Sequence, residues 1–370
     1  MMVGPCAGAE FAAPGFAGRA VRQVVHLHRG GTRLRVWFSN RFGREPLRFR
    51  AVRAGLHLGG GRVAPGAAAL AFGGEAGVEI PPGIEVVSDP VDLAVPDGAE
   101  LAVTVGVAAD GGAATKHPEG LQTGYAREDA AVDAPCLAGA EEFAELHWIR
   151  GVDLCGEPAP GEPVIVAFGD SLTDGSGTTP DAHQRYPDHL WRRLGVRVLN
   201  TGIGGNRLLA NGFGPAGMLR FADDALGVPG VTHVIIALGV NDLGLAGAAG
   251  RPAVTAAELI AGYTALAARA REAGVVPVGA TLPPFGGVVY PGYHTARGEQ
   301  TRAEFNAWMR AASGASGAVF PGHLDMDGAL RDPARPVLLR DDLHFGDGLH
   351  PNDEGARAIA GAVSPAVFGL

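Results

Sequence analysis

An α/β fold with a parallel sheet, preceded by an all-β sandwich or jelly-roll domain, is what this chain of 370 residues predicts. Three observations predict it. Residues 20–155 read as β-rich, with hydrophobic residues alternating with period two in runs such as 32–39 and 101–107. Continuous apolar runs separated by helical stripes replace that pattern further on. A Pro- and Gly-rich stretch at 156–163 (GEPAPGEP) lies between them and reads as a linker. The length also fits two domains better than one, because single cores rarely grow past about 250–300 residues. The boundary is placed so that a β-domain covers 1–157 and an α/β domain covers 158–370.

In the first part, Leu34, Val36 and Phe38 alternate with Arg33, Arg35 and Trp37 over 32–39, as in a half-buried strand. Leu101, Val103, Val105 and Val107 repeat the pattern over 101–107. Turn clusters punctuate such runs, at 29–31 (RGG), 40–43 (NRFG), 59–61 (GGG) and 81–83 (PPG). No stretch carries a helical stripe. In the second part, strands are predicted at 164–168, 196–199, 231–238, 275–280 and 318–324. Helices are predicted around 187–194, 255–273 and 299–312, the second carrying Leu259, Tyr263, Leu266 and Ala270 on one face. A last helix begins near Asn352 and Asp353, either of which can cap it. Alternating strands and helices imply a parallel sheet covered on both faces, with chemistry at the carboxyl ends of its strands.

Composition removes several classes of function. Hydrophobic residues make up 46% and charged residues 19%, so a large core is affordable and wholesale disorder is excluded. The net charge is −9 without any block of Lys or Arg, which argues against nucleic acid as a partner. No apolar run approaches the ~18 residues of a membrane-spanning helix. The first residues lack a basic segment, and Glu10 interrupts a weakly apolar stretch. A cytoplasmic protein is therefore expected, or an exported one if this is a trimmed mature form. Three cysteines, Cys6, Cys136 and Cys155, form neither a zinc pattern nor a disulfide framework. A Cys136–Cys155 bridge is the alternative to unpaired thiols.

Four polar clusters fall at the ends of the predicted strands: Gly169-Asp170-Ser171-Leu172, Asn200 to Asn206 (NTGIGGN), Gly239-Val240-Asn241-Asp242, and Asp347 to Asn352 (DGLHPN). Each alone has a plain structural explanation as a turn or a helix cap. Together they supply the parts of nucleophilic catalysis. A serine hydroxyl is a weak nucleophile and needs a neighbouring base. Imidazole titrates nearest neutrality, so His350 can take the Ser171 proton and return it to a leaving group. Asp347, three residues earlier, can hold the ring in the right tautomer. A tetrahedral intermediate needs fixed donors for its oxyanion. The backbone N–H groups of Ser171 and Gly205 and the amide of Asn241 can provide them.

In this order on an α/β half, the four clusters resemble the SGNH (GDSL-like) hydrolases from about residue 164 to the C-terminus. The resemblance implies a flavodoxin-like SGNH hydrolase domain. It makes Ser171 the nucleophile, with His350 and Asp347 completing the triad and Ser171, Gly205 and Asn241 forming the oxyanion hole. Gly205 is preferred to Gly204 because it directly precedes Asn206. The β-half, with RGGTRLRV at 29–36 and SNRFG at 39–43, is similar to the β-domain that precedes the hydrolase domain in a subset of actinobacterial members, many of them secreted. The α/β-hydrolase elbow Gly-x-Ser-x-Gly is absent, since Thr173 stands where its second glycine would be.

The expected activity is a serine esterase acting on small acyl, acetyl or aryl esters through an acyl-enzyme, without a cofactor. Its expected partner is a small ester, with an acylated sugar or a natural product among the candidates. An acyltransferase or lactone-forming enzyme using the same residues is the near alternative. A carbohydrate-binding protein with an inactive hydrolase domain is the distant one. Asp170, Asn206 and Asp242, with Arg207, are expected to support the site by hydrogen bonds. His183, His189, His294, His323 and His344 have no assigned role. A metal site from Asp341, Asp342, His344 and Asp347 is disfavoured, because no ligand spacing such as His-Glu-x-x-His supports it. Glycine-rich loops at 243–251 and 285–299 are expected to wall the substrate pocket.

Overall fold

A computed structural model describes residues 15–112, 115–155, 161–252 and 254–370. Cys6 and residues 156–160 of the expected linker lie outside them. The chain divides into two compact units, Met1–Ala159 and Pro160–Leu370.

The first unit is antiparallel β, and no helix occurs among its described residues. Its larger sheet carries Arg19–Leu27, Ala99–Asp110 and Leu47–Leu56 side by side in its middle. The smaller sheet is centred on Gly31–Ser39, paired with Ile149–Leu154 on one edge and with Glu85–Val87 and Val91–Val95 on the other. The alternation in Gly31–Ser39 works as predicted: Leu34, Val36 and Phe38 are fully buried, while Arg33 is exposed. They join Val25, Leu101 and Val105 of the larger sheet in one apolar core, which makes the unit a sandwich. Cys136 and Cys155 are free thiols.

The second unit is a five-stranded parallel sheet between helices. Its strands are β1 (Val164–Gly169), β2 (Arg197–Asn200), β3 (His233–Ala237), β4 (Val276–Ala280) and β5 (His323–Leu324), in the order β2-β1-β3-β4-β5. Every residue of β1 is buried, because helices cover both faces and each side chain must be apolar or paired. The helices are α1 (Ser171–Asp174), α2 (Tyr186–Leu194), α3 (Gly217–Phe221), α4 (Val240–Ala248), α5 (Ala256–Glu272), α6 (Ala296–Ala311), α7 (Met326–Leu330) and α8 (Asp353–Gly361). Helix α5 starts with a reciprocal cap between Thr255 and Glu258 and buries Leu259, Tyr263, Leu266 and Ala270. Asn352 caps α8 by accepting from the Gly355 N–H. No helix among the described residues is long and apolar enough to cross a membrane.

Three sequence expectations need correction. The last strand is not 318–324 but His323–Leu324. Pro321 lacks the N–H that a ladder requires, and the Phe320 N–H is spent on Ala312 O. The segment 243–251 is not a loop for most of its length, since α4 runs through Ala248. Likewise 285–299 is a loop only until Thr295, whose hydroxyl caps α6.

Candidate active site

Strand β1 delivers Ser171 to its carboxyl end. There Asp170 caps the single turn of α1, its carboxylate accepting from the Leu172 N–H at 3.1 Å. Burial pushes the Asp170 carboxyl up to about 7, against the opposing pull of that hydrogen bond. Ser171 itself is 6% exposed. At the far end of the chain, the loop before α8 presents His350. Its Nε2 lies 3.0 Å from Ser171 Oγ, and its Nδ1 lies 2.6 Å from Asp347 Oδ2. The other carboxylate oxygen, Oδ1, accepts from the Leu349 and His350 backbone N–H groups at 3.0 and 2.9 Å. Burial alone would raise the Asp347 pKa. The His350 ring and these two N–H groups outweigh it and hold the carboxylate well below its usual range. A hydroxyl, an imidazole and a carboxylate thus stand in line, 179 residues of sequence separating the first two.

The loop after β2 is tied at one end to α1, which begins with Ser171, and at the other to the first turn of α4. The Gly204 N–H is donated to Asp174 Oδ2 at 3.0 Å, whereas the Gly205 N–H has no hydrogen-bond partner among the described residues. Gly205 has φ +70°, a conformation open to glycine, and a Cβ there would come within 2.6 Å of the Phe213 ring. Asn241 is held at both ends of its amide. Its Nδ2 donates to Asn206 O at 3.1 Å, and its Oδ1 accepts from the Tyr293 hydroxyl at 2.8 Å. Burial drives the Tyr293 pKa well above its ordinary value, so the phenol keeps its proton and remains a donor. Asp242 accepts from the Leu208 and Leu209 N–H groups at 2.7 and 2.9 Å, tying the loop to α4. Burial lifts its pKa to about 6.

Ser171, His350 and Asp347 are thus hydrogen-bonded in series, Asn241 is bonded to the residue after Gly205, and Asp170 and Asp242 hold the α1 turn and the loop after β2. Arg207 instead donates to Asn211 O within its own loop. Sequence reasoning passed over three residues that complete the arrangement. Tyr293 orients Asn241, and Tyr290 donates to Asp347 Oδ2 at 3.2 Å. Arg220, 2% exposed, reaches Gly169 O, Thr201 O and the Asn206 side chain, pairs with Asp224, and stacks 4.0 Å from the Phe168 ring centre. It clamps the ends of β1 and β2. None of the three sits in one of the four clusters. Their only sequence signal is an Arg and two Tyr in segments otherwise short of large polar groups. The acidic residues weighed as metal ligands are engaged elsewhere. Asp341 pairs with Arg335 and Asp342 with Arg340, while His344 Nδ1 accepts from the Gly346 and Gly348 N–H groups.

No curated protein sequence matches the chain. Among solved structures it is similar to a carbohydrate acetylesterase family member from Sinorhizobium meliloti, at 20% identity over 56% of this chain and 100% of that one, with a TM-score of 0.44. It is similar to a GDSL-like lipase from Bacteroides thetaiotaomicron, at 18% identity over 58% and 92%, TM-score 0.44. It is also similar to the aryl esterase of M. smegmatis, at 18% identity over 56% and 99%, TM-score 0.43. Residues 167–358, more than half of the chain, match the GDSL-like lipase/acylhydrolase family, and the chain belongs to that family as a carboxylic ester hydrolase.

Proposed function

We propose that the protein is a serine esterase that cleaves small carboxylic esters through an acyl-enzyme on Ser171. His350 Nε2 accepts the Ser171 proton as Oγ attacks the ester carbonyl. Asp347 keeps the Nδ1–H of the ring directed away from the serine and stabilises the imidazolium that forms. The oxygen of the tetrahedral intermediate takes hydrogen bonds from the Ser171 and Gly205 N–H groups and from the Asn241 amide. The imidazolium then protonates the departing alcohol. Water follows the same route in reverse: it gives a proton to His350, attacks the acyl carbonyl, and releases the acid as Ser171 is reprotonated. The observation that carries this reading is the pair of contacts at His350, 3.0 Å to Ser171 Oγ and 2.6 Å to Asp347 Oδ2.

Ser171→Ala is expected to stay folded and to lose at least about 10⁴-fold in kcat on a 4-nitrophenyl ester. A fluorophosphonate is expected to label the wild-type protein at Ser171 alone. Wild-type rates in Ser171→Ala, with circular dichroism unchanged, would falsify the assignment.

A further inference from the structure

We propose that the β-sandwich unit holds a binding site of its own, a cavity that takes a short aliphatic carboxylate on Arg22 and Arg53. The proposal stands apart from the Ser171–His350 reading, since none of its residues belongs to that site.

Strand register puts the two charges together. Arg22 of Arg19–Leu27 and Arg53 of Leu47–Leu56 both stand opposite Thr104 of Ala99–Asp110, the strand between them. One residue away, Val21 and Val52 both stand opposite Val105, and these three lie in the apolar core between the sheets. Side chains alternate along a strand, so Arg22, Thr104 and Arg53 project from the other, outer face. Two segments cover Arg22 there, joined by the Val63 N–H to Pro135 O at 2.9 Å and the Leu137 N–H to Gly61 O at 3.2 Å. Beneath them Arg22 is 1% exposed. Its Nε donates to Thr104 Oγ1 at 2.8 Å, one terminal nitrogen to Gly61 O at 2.5 Å and the other to Ala134 O at 2.7 Å.

All three acceptors are neutral, and no carboxylate pairs with Arg22 among the described residues. A buried charge is ordinarily paired. Burial pushes the Arg22 pKa below its ordinary value, with the Cys136 thiol pulling the other way. A guanidinium carries five N–H groups, so one on each terminal nitrogen is left for a ligand. Arg53 is half-buried, donates to Ala67 O at 3.0 Å and has no ion pair among the described residues. The cavity that the two arginines line measures about 170 Å³. Gly55 and Ala102, opposite one another and next along the same face, carry almost no side chain and leave that room. Elsewhere the wall is aliphatic, with Val63, Ala67 and Val132 beside Ala102. A dry cavity of about 150 Å³ holds a benzene ring, so about six to eight non-hydrogen atoms fit. A planar carboxylate matches the guanidinium fork, and a short alkyl tail matches the aliphatic wall. Phosphate would leave that wall bare. Asp133, the acid on the lining, is exposed, so water and salt screen its charge. Short carboxylates include the acids that a carboxylic ester hydrolase releases.

The test is a calorimetric titration of the full chain with sodium butyrate at constant ionic strength. Butyrate is expected to bind with a Kd of about 1 mM. Butyramide, its neutral counterpart, and phosphate are each expected to bind at least about tenfold more weakly. Arg22→Met keeps the bulk and removes the charge, and is expected to weaken butyrate by at least about tenfold. Arg53→Gln is expected to weaken it by about threefold, as a half-buried partner should. Circular dichroism checks that both variants fold. Should Arg22→Met fail to fold, Arg53→Gln and a crystal of the wild-type protein grown with butyrate decide, with density expected between Arg22 and Arg53. Butyrate bound no better than butyramide, a preference for phosphate, or an empty cavity in that crystal each overturns the proposal. So does an unchanged Kd in the folded arginine variants, the outcome if butyrate binds beside His350 instead.

Discussion

A side-chain amide serves an oxyanion only if its N–H, not its oxygen, faces the reacting carbonyl. Asn241 has that orientation imposed on it from outside its own helix. The Tyr293 hydroxyl donates to Oδ1 at 2.8 Å, and one Nδ2–H is tied to Asn206 O, so the remaining N–H is the part left for substrate. Tyr293→Phe keeps the buried ring and removes only the hydroxyl. Under the proposed mechanism it is expected to lower kcat by about ten- to a hundredfold, less than loss of a whole oxyanion donor, with a smaller change in KM. Steady-state kinetics beside a thermal melt checks this, and an unchanged kcat would show that Asn241 needs no such clamp. The five residues that carry the proposed chemistry were legible in the sequence because each sits inside a compact cluster of unusual composition at a strand end. Tyr293 was not legible, because nothing local in its segment points 52 residues back to Asn241. Tyr290 and Arg220 were hidden for the same reason: their partners exist only in three dimensions.

Helix α4 shows where element-level reading stops. Its glycines made 243–251 look like a loop, since glycine disfavours a helix by about 1 kcal/mol relative to alanine. The structure keeps a helix there because neighbours occupy the space that side chains would fill. A Cβ on Gly244 would sit 2.0 Å from Tyr293 Cζ, and one on Gly247 would sit 2.5 Å from Gly292 O. Propensity therefore gives the wrong sign for substitution. Gly244→Ala, stabilising on an open helix, is expected here to destabilise by about 1–3 kcal/mol, because a buried aromatic ring must move. It is also expected to depress turnover by shifting Tyr293 from Asn241. Urea unfolding measures the first effect, and a gain in stability would refute the close packing. The strands from β1 to β4 were readable to within two residues at each end. The inner strands β1, β3 and β4 are covered on both faces and almost wholly apolar, while the edge strand β2 keeps only Val198 and Leu199 as its apolar centre. Short elements such as α3, α7 and β5 were not, since one turn of helix or two residues of strand leave no period to detect.

At the scale of the whole molecule, folding sets acid groups against one another in their response to pH. Burial raises Asp170 from 3.8 to about 7 and Asp242 from 3.8 to about 6. A folded state that binds a proton more tightly than the unfolded chain loses stability as pH rises between the two pKa values. These two carboxyls therefore contribute most below about pH 4, and their contribution declines up to about pH 7. Asp347 runs the other way. The His350 ring and two backbone N–H groups stabilise its ionised form, so its contribution is present above its ordinary value of 3.8 and is lost as pH falls below it. The stability that the second unit draws from these three groups thus peaks on the acid side. Asp170→Asn isolates the largest of these contributions, since an amide oxygen can still cap the Leu172 N–H but cannot ionise. Urea midpoints measured from pH 4 to pH 8 are expected to fall more steeply for the wild-type protein than for Asp170→Asn. Parallel profiles would mean that Asp170 titrates alike in the folded and unfolded chains, and that the acid beside Ser171 is better hydrated than its burial implies.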